Sequence, residues 1–234
     1  IIAPRDRKRH GKAYAMPEVT IHFVRHGEVF NPRHVLYERL PGFHLSKLGI
    51  RMVQETASHI VQDPGASAIS AVFSSPLERT VETAEEILKV LNDHRESLGE
   101  PDLVLHTDAR LIEAGNKFRG KRIWHAQGAL WRRENLKLVR NLWKPTWGES
   151  YAHIAARMSD FVQEKISRYP DSQILVVSHE SPIWSYRHML ETGRPEHNML
   201  LRHTALASVT SITYDCETKR VLSITYADPA CGTR

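Results

Sequence analysis

Hydrophobic and polar positions alternate along the chain between two periods. Val19 to Val24 (VTIHFV) is a run of β-branched and aromatic residues interrupted by His22, the signature of a buried strand. Ala68 to Phe73 and Ile174 to Val177 read the same way. Between them the period lengthens. Ile50, Val53, Ala57, Ile60 and Val61 share one face of a helix over about 47–62, with Ser46 as its N-cap. Leu77, Val81, Ala84, Leu88 and Leu91 predict a second helix, with Ser75 as N-cap, Pro76 in the first helical position and Glu78 completing a capping box. Ile154, Met158, Phe161, Val162 and Ile166 form the stripe of another, begun by Ser150. Residues 102–106 predict a short strand and 182–190 a helix. Residues 208–214 and 221–226 predict two late strands around a turn at Asp215–Lys219. Strands alternating with helices predict an α/β sheet with helices on both faces. Residues 107–150 are irregular and are expected to form an insertion over one end of the sheet, with helical pieces around 123–142.

Composition changes this picture little. The 234 residues are 41% apolar and 25% charged, ordinary for a globular chain. No apolar run approaches the ~18 residues of a membrane span, and residues 1–16 lack the apolar core of a signal peptide. Those residues are expected to be a disordered basic tail before one catalytic domain over 17–234. Arg5, Arg7, Lys8, Arg9 and Lys12 against Asp6 carry most of the net charge of +5, so the body is close to neutral. A nucleic-acid or membrane partner is not expected. Cys216 and Cys231 stand in no metal-ligand spacing and are expected to be reduced thiols in a cytoplasmic protein. Neither metal nor cofactor is expected.

Candidate chemistry gathers where strands end, the place at which α/β sheets bind ligands. The first strand ends in Arg25-His26-Gly27-Glu28, and Ile174–Val177 ends in Ser178-His179-Glu180. Arg79 falls in the first turn after another strand. Two histidines, two arginines and the carboxyl of Glu113 suit phosphoryl transfer, which depends on positioning and charge stabilisation. Guanidinium forks match phosphate oxygens, a neutral His26 can act as nucleophile, and Glu113 can protonate the leaving alcohol and then activate water. Glu28 and Glu149 are alternative acids. Gly27 permits a close backbone approach. Arg33, Lys117 and Arg119 are candidates for a second anionic group, and Trp124, Trp131, Trp143 and Trp147 for the cleft wall.

RHGE at 25–28, SSPLERTVETA at 74–84, LIEA at 111–114, WGES at 147–150 and VSHES at 177–181 resemble, in order, the motifs of the histidine phosphatase superfamily. The resemblance spans about 19–226. It implies the phosphoglycerate-mutase-like fold, a three-layer sandwich with a mostly parallel central sheet and an insertion over the C-terminal strand edge. It implies a phosphohistidine on His26, a phosphate pocket of Arg25, Arg79 and His179, Asn31 as a lesser contact, and Glu113 as proton donor. The expected substrate is a small phosphoester, with inorganic phosphate as product. Thr80 stands where the motif commonly has alanine, and Glu180 where it usually has glycine. A carboxylate beside a phosphate is repelled, so the Glu180 side chain is expected to point away, leaving its backbone N–H on the substrate-binding side. Cofactor-dependent phosphoglycerate mutases carry ERHYG where this chain has EAGNKFRG at 113–120. That favours a phosphatase over a mutase, and a non-catalytic phosphate-binding relative is a third reading supported by Glu180 alone.

Overall fold

A computed structural model of the protein describes residues 17–63, 65, 68–122 and 147–233. Six strands form one sheet: β1 (Glu18–Arg25), β2 (Ile69–Ser74), β3 (Leu105–Thr107), β4 (Ser172–Ser178), β5 (Val209–Asp215) and β6 (Val221–Ala227), in the order β3-β2-β4-β1-β5-β6. The pairs β3–β2, β2–β4 and β4–β1 are parallel, while β5 runs antiparallel to both neighbours. The strand alternation sends Val19, Ile21 and Phe23 to one face, under α3 (Tyr151–Arg168) and α4 (Glu180–Thr192). Val24, Val72 and Val177 face α1 (Lys47–Gln62) and α2 (Glu78–Ser97) on the other. The expected three-layer architecture is therefore present, and no described helix is long and apolar enough to cross a membrane.

Local chemistry agrees with the pattern in some places and corrects it in others. Ser46 caps α1, its side chain accepting from the Gly49 N–H. The expected capping box of α2 does not form. The helix begins at Glu78 behind Leu77, which makes no side-chain cap, and the Glu78 carboxylate accepts instead from the Gly42 N–H at 3.0 Å. Ser75 is drawn away to another partner, described below. The strand expected at 102–106 pairs only from Leu105, because Leu103 is tied on both backbone groups to the Asn92 side chain. α4 starts two residues early, at Glu180, and stops at Gly193, whose φ of 74° closes it. The expected basic tail and the helical pieces around 123–142 lie outside the described residues.

A close backbone approach brings α1 against the end of β1. A Cβ on Gly27 would lie 2.7 Å from the Gly49 carbonyl oxygen, and one on Gly49 only 2.1 Å from the Glu28 carbonyl oxygen. Neither site has room for a methyl group unless backbone moves. Gly49→Ala is therefore expected to destabilise the protein by about 1–3 kcal/mol, read as a lowered urea midpoint. An unchanged midpoint would mean that α1 is not fixed by this contact.

Candidate active site

The parallel register builds the site. Arg25 lies opposite Ser178 and Ser74 opposite Val177, so β1, β2 and β4 end side by side. The ladder runs one residue further, with His26 N–H bonded to Ser178 O and Ser75 N–H to Val177 O, both near 3 Å. This sets the His26 and His179 rings 5.3 Å apart, both buried. His26 Nδ1 lies 2.8 Å from Gly27 O. A carbonyl oxygen only accepts, so Nδ1 carries the proton and Nε2 the lone pair. Burial first, then the charges of Arg79 and Arg25, push His26 well below the ordinary imidazole pKa. It is a neutral base at physiological pH. His179 Nδ1 accepts from Arg79 Nη2 at 3.2 Å, and its Nε2 donates to Ser75 Oγ at 2.8 Å. It is held neutral in the same way, by burial and then by Arg79.

Arg79 has no exposed surface. Nη2 donates to Glu38 O at 2.6 Å as well as to His179, and the Tyr37 ring covers the guanidinium at 4.8 Å. Its Nε and Nη1, and Nε of Arg25, are buried without a hydrogen-bond partner among the described residues. Buried charged donors are costly to leave unsatisfied, and three such N–H groups on two arginines whose charges act on His26 suit a tetrahedral oxyanion. The adjoining cleft is about 260 Å³ and is lined by Arg25, His26, Tyr37, Glu113, Glu180 and Arg202 among others.

Three carboxyls were candidates for the acid, and their surroundings separate them. Burial raises the Glu113 carboxyl above the ordinary range, opposed by the Ala114 N–H at 2.7 Å and by the charge of Arg79. Burial also pushes Glu149 up, but Arg157, the Gly115 N–H and Arg39 outweigh it and hold that carboxyl low. Glu28 is bound to the hydroxyl of the N-cap Ser46. Glu113 and Glu149 both line the cleft, the first with a raised and the second with a lowered pKa, and Glu28 does not border it.

Other candidate residues take different places. The Glu180 side chain does not point away: its Oε1 lies 2.9 Å from Arg25 Nη1 and its Oε2 3.8 Å from Arg202 Nη1. Two guanidiniums attract the carboxylate inward, which corrects the expectation. The Asn31 amide is spent on Val35, donating to its carbonyl and accepting from its N–H, and it borders a neighbouring hollow with Arg25 and Tyr37. Arg119 pairs with Glu38 at 3.3 Å, and neither it nor Arg33 nor Lys117 borders the cleft. Trp147 does; Trp124, Trp131 and Trp143 lie outside the described residues. The sequence reading missed Tyr37, Ser75 and Arg202. Arg202 is fixed by Ser181 Oγ at 2.7 Å, His197 Nε2 at 3.0 Å and the Tyr151 hydroxyl at 3.4 Å.

The chain is similar in sequence and in fold to known proteins. The family model described as Histidine phosphatase superfamily (branch 1) matches residues 21–226. Uncharacterized protein Rv0525 of Mycobacterium tuberculosis is 41% identical over 217 residues, covering 92% of this chain and 99% of that protein. Among solved structures, mycobacterial glucosyl-3-phosphoglycerate phosphatase is similar with a TM-score of 0.67 at 22% identity, covering 89% of this chain and 98% of its own. Phosphoglycerate mutase from Bacillus anthracis is similar with a TM-score of 0.67 at 20% identity, covering 94% and 98%. At such identities the likeness is one of fold.

The raised Glu113 carboxyl bears on stability. The folded protein keeps this proton above the pH at which an unfolded chain releases it, so the group costs stability as pH rises past the ordinary glutamate value. Glu113→Gln is expected to raise the unfolding midpoint relative to wild type at about pH 7 and to change it little at about pH 3.5. The same change in midpoint at both would mean that the carboxyl titrates alike in the folded and the unfolded chain.

Proposed function

The chain belongs to the histidine phosphatase superfamily, and from that membership we propose that it is a phosphomonoester hydrolase working through a phosphohistidine on His26. The observation that carries this reading is the set of three guanidinium N–H groups of Arg25 and Arg79, buried and without a partner among the described residues, near a neutral imidazole with its lone pair on Nε2. Non-bridging phosphate oxygens take those donors. His26 Nε2 attacks phosphorus as the ester P–O bond breaks, and Glu113 gives its proton to the departing alkoxide. The Glu113 carboxylate then takes a proton from water as the water oxygen attacks phosphorus. The N–P bond breaks, inorganic phosphate leaves, and Glu113 is protonated again. His179, anchored on Ser75, holds Arg79 in place.

Charge on the phosphoryl group is met by the two arginines in this scheme, so turnover is expected to be insensitive to EDTA. The direct test is phosphate release from p-nitrophenyl phosphate in EDTA, for wild type and variants. His26→Ala is expected to lose at least ~10³ of the rate. Arg79→Ala is expected to lose about 3 kcal/mol of transition-state stabilisation in kcat/KM, as when a preorganised charge donor is removed. Near-wild-type turnover of His26→Ala would sink the mechanism, and an unchanged kcat/KM for Arg79→Ala would put that residue outside the phosphate pocket. Interconversion of 2- and 3-phosphoglycerate without phosphate release would mean a mutase.

A further inference from the structure

The cleft around the leaving alcohol is rich in acceptors. On one wall, successive backbone N–H groups are already bound to carboxylates: Ala114 to Glu113 Oε1, Gly115 to Glu149 Oε2 at 3.2 Å and Asn116 to Glu38 Oε1 at 2.9 Å. The cations behind this wall are engaged as well, Arg39 and Arg157 by Glu149 and Arg119 by Glu38. On the other side stands Glu180, with about a third of its side chain exposed. It takes Nη1 of the guanidinium whose Nε, on the reading above, holds a phosphate oxygen. Arg202, the remaining cation on the cleft surface described here, is bound to Ser181, His197 and Tyr151 and faces the same carboxylate.

A group attached near the ester therefore meets fixed negative charge and hydrogen-bond acceptors. We infer that Glu180 is a specificity-determining residue, whose carboxylate between Arg25 and Arg202 selects phosphomonoesters of alcohols that bring hydrogen-bond donors and no second negative charge. A hydroxyl or ammonium neighbour can donate to Glu180 Oε2, which accepts no hydrogen bond among the described residues and lies 3.8 Å from Arg202 Nη1. A carboxylate neighbour is repelled by it and cannot displace it without taking both arginines from their partner. This rests on the phosphatase reading and adds to it the class of alcohol.

The test compares glycerol 1-phosphate, phosphoethanolamine and 3-phosphoglycerate as substrates of the wild type and of Glu180→Gln. Wild type is expected to favour the first two over 3-phosphoglycerate by at least about tenfold in kcat/KM, the scale of a like-charge contact in a shielded cleft. Glu180→Gln is expected to narrow that gap about tenfold, through a lower KM for 3-phosphoglycerate and a higher KM for phosphoethanolamine. Equal or better use of 3-phosphoglycerate by the wild type would overturn the inference, and this needs no variant to fold. So would a Glu180→Gln enzyme slowed by one factor on all three esters, the mark of a residue that merely holds Arg25. Calorimetric binding of the same esters to wild type gives the order of preference independently of turnover. Absence of hydrolysis would therefore count against the phosphatase reading, and the wrong order of binding against this one.

Discussion

The site depends on one buried cation. Arg79 is removed from solvent entirely, at a desolvation cost of several kcal/mol for a single ion. Its compensation is specific: the Glu38 carbonyl, the Nδ1 lone pair of His179 and the face of Tyr37. Glu38 adopts a φ of 40°, a left-handed conformation uncommon for such a residue, while its carbonyl meets Arg79 and its carboxylate meets the Asn116 N–H. The same positive charge, added to burial, keeps His26 and His179 neutral. On the proposed reading, a neutral imidazole at His26 and donors for phosphate oxygens thus both draw on the placing of one guanidinium.

Placement follows from the sheet. Parallel pairing of β1, β4 and β2 in fixed register makes residues distant in sequence into neighbours at one edge. Arg25 and His26 come from the first strand, Ser75 follows the second, and Ser178 and His179 end the fourth. The Ser178 hydroxyl donates to Leu111 O at 2.8 Å, which ties the segment bearing Glu113 to the same edge. The glycine pair Gly27 and Gly49 lets α1 close tightly behind it.

What the sequence made legible was whatever the period of an element or the end of a strand decides. The strand ends at Arg25-His26 and Ser178-His179 were visible because β-branched runs stop there, and the Ser46 cap because serine stands just before a helical stripe. Residues whose direction is set by distant partners were not visible. Ser75 resembled a helix cap, yet a hydrogen bond to His179, 104 positions later, claims its hydroxyl. Glu180 was expected to avoid a phosphate site, but Arg25 and Arg202 draw its carboxylate in, and Arg202 lies in an irregular segment without period. Asn31 had an amide suited to phosphate, and a local turn with Val35 uses both of its ends.

The central claim is that the phosphoryl group passes through His26 Nε2. It is tested most directly by mixing enzyme with a labelled phosphoester, quenching in alkali during turnover and mapping the phosphorylated peptide by mass spectrometry. The account predicts an acid-labile, base-stable phosphate on the peptide holding Arg25-His26-Gly27, formed and lost at rates compatible with turnover. Steady hydrolysis with no phosphorylated peptide, or with the phosphate on another side chain, would contradict it.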